Sequence, residues 1–390
     1  MNDCFCNKMK CGIIPAFLIH LCVGSVYCWP LLDEYIGSTI GKFYSGLGFS
    51  IDIFFIGLAA LFSRMIVNKL GFRTTILLST VLFGSGIIIS GISLINSLPW
   101  LFVFSYGVIS GLGIGLGYMS PIKNLMLWFN KDIGLVVGIS IFGFGLSKFI
   151  CTPVFESTII SHGVGSTMIY FGIISTLIMF IGYLLIRRPP GWFPKINTFK
   201  EFFEFITKLW DNKDYRRYWL IFFITSTVGI SLMYSERMLF SISTVFGSSI
   251  GITTGMMLSA VFNTTGRLFF PTISDYLKDR NKLLTFMTIA FMISCLIGYM
   301  DYQLIPISIF ISFAIYGGIF ALMPCILADM YGIENVSTSH GYLLISWGVA
   351  GFTGPLLSSI TDSLGISGLM LVYFILLLIS LYNCIRIGNK

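Results

Sequence analysis

The sequence predicts an all-α membrane protein of twelve transmembrane helices arranged as two six-helix halves, and three observations predict it. The chain of 390 residues is 56% hydrophobic and 11% charged, with a mean hydropathy of +0.89. A soluble domain carries about 25% charged residues, so this composition excludes a soluble enzyme, a nucleic-acid binder and a disordered scaffold. Apolar runs of spanning length recur along the chain, each close to the roughly 20 residues that cover a hydrocarbon core of about 30 Å. Finally, the second half repeats landmarks of the first.

The runs fall at residues 11–32, 47–70, 74–95, 98–121, 133–153 and 167–186, and again at 218–239, 251–270, 283–300, 305–327, 341–359 and 365–385. Acidic Asp33 and Glu34 close the first, and the basic loop Asn68-Lys-Leu-Gly-Phe-Arg73 separates the second from the third. Lys131 lies between the fourth and fifth, Glu156 follows the fifth, and Asp301 divides the ninth from the tenth. Short connections of this kind make neighbouring helices antiparallel. The long exception divides the spans six and six. Residues 1–187 form an N-terminal six-helix bundle, 188–217 a cytosolic linker with an amphipathic, charge-rich segment, and 218–390 a C-terminal six-helix bundle.

Charge sets the orientation. Lys8, Lys10, Lys69, Arg73, Lys131, the linker, Lys278, Arg280, Lys282, Arg386 and Lys390 share one side if the spans alternate. Counting borderline Arg64 and Lys123, and Arg187 at the edge of the linker, that is about twenty of the 24 basic residues, which makes the side cytosolic and places both termini there. The protein is expected to be a multi-pass component of a plasma or organelle membrane, without a cleaved signal peptide. The nine cysteines, without CxxC spacing, read as small buried hydrophobes, and Cys4, Cys6 and Cys11 as lipidation candidates at best. No metal set or cofactor motif is expected. Gly37-Ser-Thr-Ile-Gly41-Lys42 is one residue too short for a phosphate loop, and Phe43 follows it.

Pro121 and Gly138 recur as Pro324 and Gly341, an offset of 203 residues that also maps Gly115 onto Gly318 and Gly145 onto Gly348. Arg73 recurs as Arg280 at an offset of 207. Two parallel six-span halves are the plan of a major facilitator transporter, whose substrate site lies near the midplane between them.

The motifs resemble one family, the oxalate:formate antiporter family of the major facilitator superfamily. The matching stretches are Gly24-Ser-Val-Tyr-Cys-Trp29, Gly111-Leu-Gly-Ile-Gly-Leu-Gly-Tyr118 with Pro121 and Trp128-Phe129, and Gly134 to Gly138 with Gly143-Phe-Gly145. They continue with Arg188-Pro-Pro-Gly191, Gly266-Arg267, Ser274-Asp275, Gly317-Gly-Ile-Phe320 with Pro324, and Gly341 to Pro355. The resemblance implies secondary transport of small carboxylates by alternating access. It also implies two cationic contacts to a dicarboxylate, a basic residue on the eighth span and a lysine on the eleventh. Arg267 matches the first, and the second position holds Trp347.

A guanidinium within a span costs several kcal/mol unless it meets a cavity or partner, which marks Arg267 as a candidate site residue, and its planar fork suits a carboxylate. Snorkelling, or an ion pair with Asp275, is the structural alternative. One fixed cation neutralises a monoanion but leaves a dianion uncompensated, so pyruvate, lactate or formate is the expected substrate class, carried with a proton or in exchange for another anion. Trp347, Tyr27, Tyr118, Phe320 and Tyr316 are candidate lining residues, although packing explains aromatics equally well. His20, midway along the first span, is the candidate for proton coupling. Arg73, Asp275 and Arg280 are candidate gating residues at cytosolic helix ends. Lys148 and the Glu236-Arg237 pair read as snorkelling or locally paired groups near outer helix ends.

Partners are thus a small carboxylate anion, the lipid bilayer and protons, with no nucleic acid, and the carrier is expected to act as a monomer. Two alternatives stand beside this reading. One is exchange of oxalate or another dicarboxylate, with Lys148 or Arg237 supplying the second charge. The other is a transport-dead membrane sensor, whose usual large cytosolic domain is absent from this sequence.

Overall fold

The computed structural model describes residues 8–129, 131–193, 198–242, 244–245, 248–249 and 251–387. Cys4, Cys6 and Lys390 lie outside the described residues. Among the described residues, eight helical stretches are long and apolar enough to cross a bilayer. Two of them, Lys42–Ile95 and Ile133–Leu185, turn back once, at Gly71 (φ 80°) and Gly163 (φ 80°), and therefore cross twice. A left-handed φ is costly for a residue with a Cβ, and it is what folds a continuous helical trace into a hairpin. Helices Ile252–Ser274 and Val336–Ser358 supply the eighth and eleventh crossings. Neither reaches the hydropathy of the other spans, because each spends its inward face on polar and small residues.

Two departures from regular α-helix and one helix outside the spans bear on function. The first span, Met9–Ile40, tightens to a 3-10 turn over Gly24–Cys28. Pro30 lacks the N–H that would reach back one turn, and the tightened turn positions Tyr27. The fourth span, Pro99–Trp128, is under-wound into a π-helix across Val103–Ser110. Between the halves, the linker holds a helix, Phe199–Asp211, opened by a capping box of Thr198 and Glu201. Its buried Phe202 stacks on Phe62 of the second span, with centroids 5.4 Å apart.

The halves meet along two seams, the fifth span against the eighth and the second against the eleventh. Gly134 shows how close the first seam is, since a Cβ there would lie 1.8 Å from the Pro271 carbonyl oxygen. The candidate site lies between the seams.

Candidate functional site

Arg267 is fully buried on the eighth span. Its Nε donates to Asn263 Oδ1 at 2.8 Å, one helical turn away, and Nη2 donates to the Tyr27 hydroxyl of the first span at 2.8 Å. Asn263 is itself fixed, because its Nδ2 donates to the Phe313 carbonyl at 3.0 Å. Three rings enclose the guanidinium: its Cζ stands 5.2 Å from the Tyr27 centroid, 5.4 Å from Phe144 and 5.0 Å from Phe320. Each such contact contributes about 0.5–2 kcal/mol. All these partners are neutral, so the positive charge is solvated by the protein but not cancelled. Arg267 does not pair with Asp275 in this structure; Asp275 binds elsewhere, as described below.

The site residues expected from the sequence converge on this arginine. Phe320 packs edge-on against Tyr118 (5.8 Å), Tyr316 (6.2 Å) and Trp347 (5.5 Å). The Trp347 indole N–H donates to the Tyr316 hydroxyl at 2.8 Å, so its one donor is already engaged within the wall. Several polar atoms in this region have no hydrogen-bond partner among the described residues. They are Arg267 Nη1, the Tyr118 hydroxyl, Thr264 Oγ1 and both ring nitrogens of His340. Buried polar atoms are normally satisfied, so these atoms retain hydrogen-bonding capacity.

His20 is buried beside Tyr118. Its Nε2 lies 3.0 Å from the Tyr118 carbonyl oxygen and its Nδ1 3.2 Å from the Ser140 hydroxyl. A carbonyl only accepts, so the network assigns the proton to Nε2 and leaves Nδ1 as acceptor. Both nitrogens are therefore engaged.

At the end marked by the basic loops, Asp275 accepts from the backbone N–H groups of Gly134 (2.8 Å) and Leu135 (2.9 Å), capping the fifth span from the opposite half. An anion at a helix N-terminus is stabilised by the unpaired N–H groups and the helix dipole. Arg280 holds Asp275 in place, donating to it at 3.0 Å and to Asp329 at 2.7 Å. Arg64 of the second span reaches Asn335 across the other seam at 2.6 Å. Arg73 is not part of this network; it stacks on Tyr183 of its own half, 4.7 Å from the ring centroid. At the opposite end Arg237 pairs with Glu34, and Thr253 donates to Glu156 at 2.7 Å. Contacts between the halves thus occur at both ends.

Two features escaped the sequence reading. Glu236 pairs not with its neighbour Arg237 but with Lys148 across the halves, both almost fully buried. His340 precedes the apolar window of the eleventh span, yet the helix starts at Val336 and buries it. The polar run Ser337-Thr-Ser-His340 hid both the helix start and the histidine. The arginine-centred polar cluster itself was legible, since intramembrane charge is rare.

A multi-pass helical bundle in two repeated halves, with a buried cation between them, defines a membrane solute carrier. Residues 16–328 match the Major Facilitator Superfamily, and the chain belongs to that family of transporters. It is 22% identical to an oxalate:formate antiporter of Oxalobacter formigenes over 381 residues, 92% of this chain and 86% of that protein. It is 27% identical to monocarboxylate transporter 9 of Rattus norvegicus over 183 residues, 44% of this chain and 34% of that protein. Among solved structures, the transporter FucP in its outward conformation superposes with a TM-score of 0.72 at 15% identity, over 97% of this chain and 98% of that one. That last likeness concerns the fold alone.

Proposed function

We propose that this transporter carries small monocarboxylates of the pyruvate, lactate and formate class by alternating access. The observation that supports this most is Arg267, a fully buried cation with an unpartnered Nη1 and only neutral neighbours. One carboxylate accepting from the guanidinium edge cancels one charge, while the aromatic wall of Tyr27, Phe144, Phe320, Tyr316 and Trp347 suits a short apolar remainder. The hydroxyl of Tyr118 and the ring of His340 are placed for a second polar atom, such as a 2-oxo or 2-hydroxy oxygen. Asp275 and Arg280 act as the latch of the cytosolic gate, and Glu34 with Arg237 as that of the outer gate.

A dicarboxylate reading has one observation in its favour, because Lys148 lines the same narrow cleft as Tyr27 and Asn263. Its charge, however, is matched by Glu236, which leaves a net charge suited to a monoanion. The deciding measurement is uptake of labelled formate, lactate, pyruvate and oxalate into proteoliposomes. Wild type is expected to take up at least one of the monocarboxylates, with oxalate the weakest competitor, and Arg267→Ala to take up none while remaining folded. Undiminished uptake by that variant overturns the site.

A further inference from the structure

Lys148 on the fifth span and Glu236 on the seventh form a charged pair that joins the two halves, with side chains 3% and 0% exposed. The Ser259 hydroxyl of the eighth span sits between them, receiving from Lys148 at 3.1 Å and donating to Glu236. These are the groups that face Glu236. Lys148 in turn faces the Phe313 ring of the tenth span at 5.0 Å and Cys28 of the first.

The pair is wired to the arginine site. Ser259, Asn263 and Arg267 are spaced four residues apart and share one face of the eighth span. Lys148, Ser259, Asn263 and Tyr27 border one cleft, and both Asn263 and Tyr27 accept from Arg267. A buried ion pair is weak as a source of stability, because desolvation offsets its attraction, and its best-attested use is as a register or switch element. This one spans a seam that alternating access must part.

We propose that Glu236 is the group that takes up the proton accompanying the transported anion, with Lys148 as its exchangeable counter-ion; this rests on the monocarboxylate reading above. A proton from water forms an O–H bond on the Glu236 carboxylate, the ion pair is lost, and the Lys148 ammonium is freed toward the cleft. Electrostatics then favours coupling. Empty, the Arg267, Lys148 and Glu236 set carries one net positive charge. With a monoanion on Arg267 and a proton on Glu236 it again carries one, so the empty and fully loaded carriers cross the same electrostatic barrier. His20 is not assigned this role, since both its nitrogens are engaged.

The test uses the full chain in proteoliposomes, with labelled pyruvate, lactate and formate as probes and a pH dye in the lumen. Wild type is expected to accumulate its substrate down an imposed proton gradient and to alter lumenal pH as it does so. Glu236→Gln is expected to retain substrate exchange within about tenfold, a barrier change of about 1.4 kcal/mol or less, while gradient-driven accumulation and the pH signal disappear. Removing one partner of a buried pair can unfold a protein, so Lys148→Gln combined with Glu236→Gln repeats the measurement without a stranded charge.

Gradient-driven accumulation at the wild-type level in either variant overturns the proposal. So does loss of exchange in both variants, because a coupling group is dispensable for exchange. Wild-type uptake that ignores the gradient overturns the coupling and leaves the substrate reading standing. Wild type that moves none of the three probes overturns the substrate reading itself.

Discussion

The two seams between the halves are built alike in backbone and differ in charge. In the fifth–eighth seam a Cβ on Gly138 would lie 3.0 Å from the Arg267 carbonyl oxygen; in the second–eleventh seam a Cβ on Gly341 would lie 2.6 Å from the Ala60 carbonyl oxygen. Gly138 and Gly341 are related by the 203-residue offset, and Ala60 and Arg267 by the 207-residue offset that also relates Arg73 to Arg280. The same close approach thus occurs twice, with a methyl group at one seam and a guanidinium at the other. Asp275, which caps the fifth span, corresponds at that offset to uncharged Asn68, and Lys148 corresponds at 203 to Gly351. The repeat supplies two equivalent sliding surfaces, and chemistry has been placed on one of them. On the proposed function, this asymmetric charge on a symmetric scaffold is what would hold a single anion off-centre while the halves rock.

The comparison can be broken most severely at Arg267. Arg267→Ala is expected to lower initial uptake at least 100-fold, about 2.7 kcal/mol of barrier, whereas Ala60→Gly at the equivalent position of the second–eleventh seam changes it less than about threefold. Initial rates in proteoliposomes measure both, and equal losses would show that the seams are functionally alike.

The next effect lies at the latch. Asp275→Asn removes the charge that accepts two backbone N–H groups and pairs with Arg280, weakening closure at that end by about 1.5 kcal/mol. Cys325 is fully buried at the same end, so its maleimide labelling rate should rise about tenfold. No change in labelling would mean that the other seam alone holds the gate.

A smaller effect is expected in the aromatic wall. Trp347→Phe keeps the ring contact with Phe320 but removes the donor to Tyr316. The loss of one neutral hydrogen bond, about 1 kcal/mol, should raise the KM about fivefold with little change in maximal rate. The smallest effect belongs to Arg73→Ala. Arg73 stacks on Tyr183 inside one half, and an exposed contact of that kind contributes about 0.5 kcal/mol, so transport should fall less than about twofold. Its repeat partner Arg280, which joins Asp275 and Asp329, should be far more sensitive in the same assay.

Arg267 was legible in the sequence because a charge inside an apolar run has few innocent explanations. The aromatic partners were legible only as a list, since rings pack everywhere in such a chain. Lys148 and Glu236 misled by proximity: Arg237 follows Glu236 directly, but successive residues on a helix point about 100° apart, and the true partners are 88 positions distant in sequence. His340 was missed because a hydropathy window starts where apolar residues start, while the helix starts where its backbone can be satisfied.

The sequence by itself determined a membrane location, the spans, the six-and-six division and the presence of an arginine inside the eighth span, because those follow from local composition and from the bilayer's intolerance of unpaired polar groups. The tertiary structure decided which charges meet, which aromatic donors are already engaged and which buried polar atoms are left without partners. Those outcomes depend on the angle at which each helix faces its neighbours across the seams, a long-range property that no window of sequence encodes.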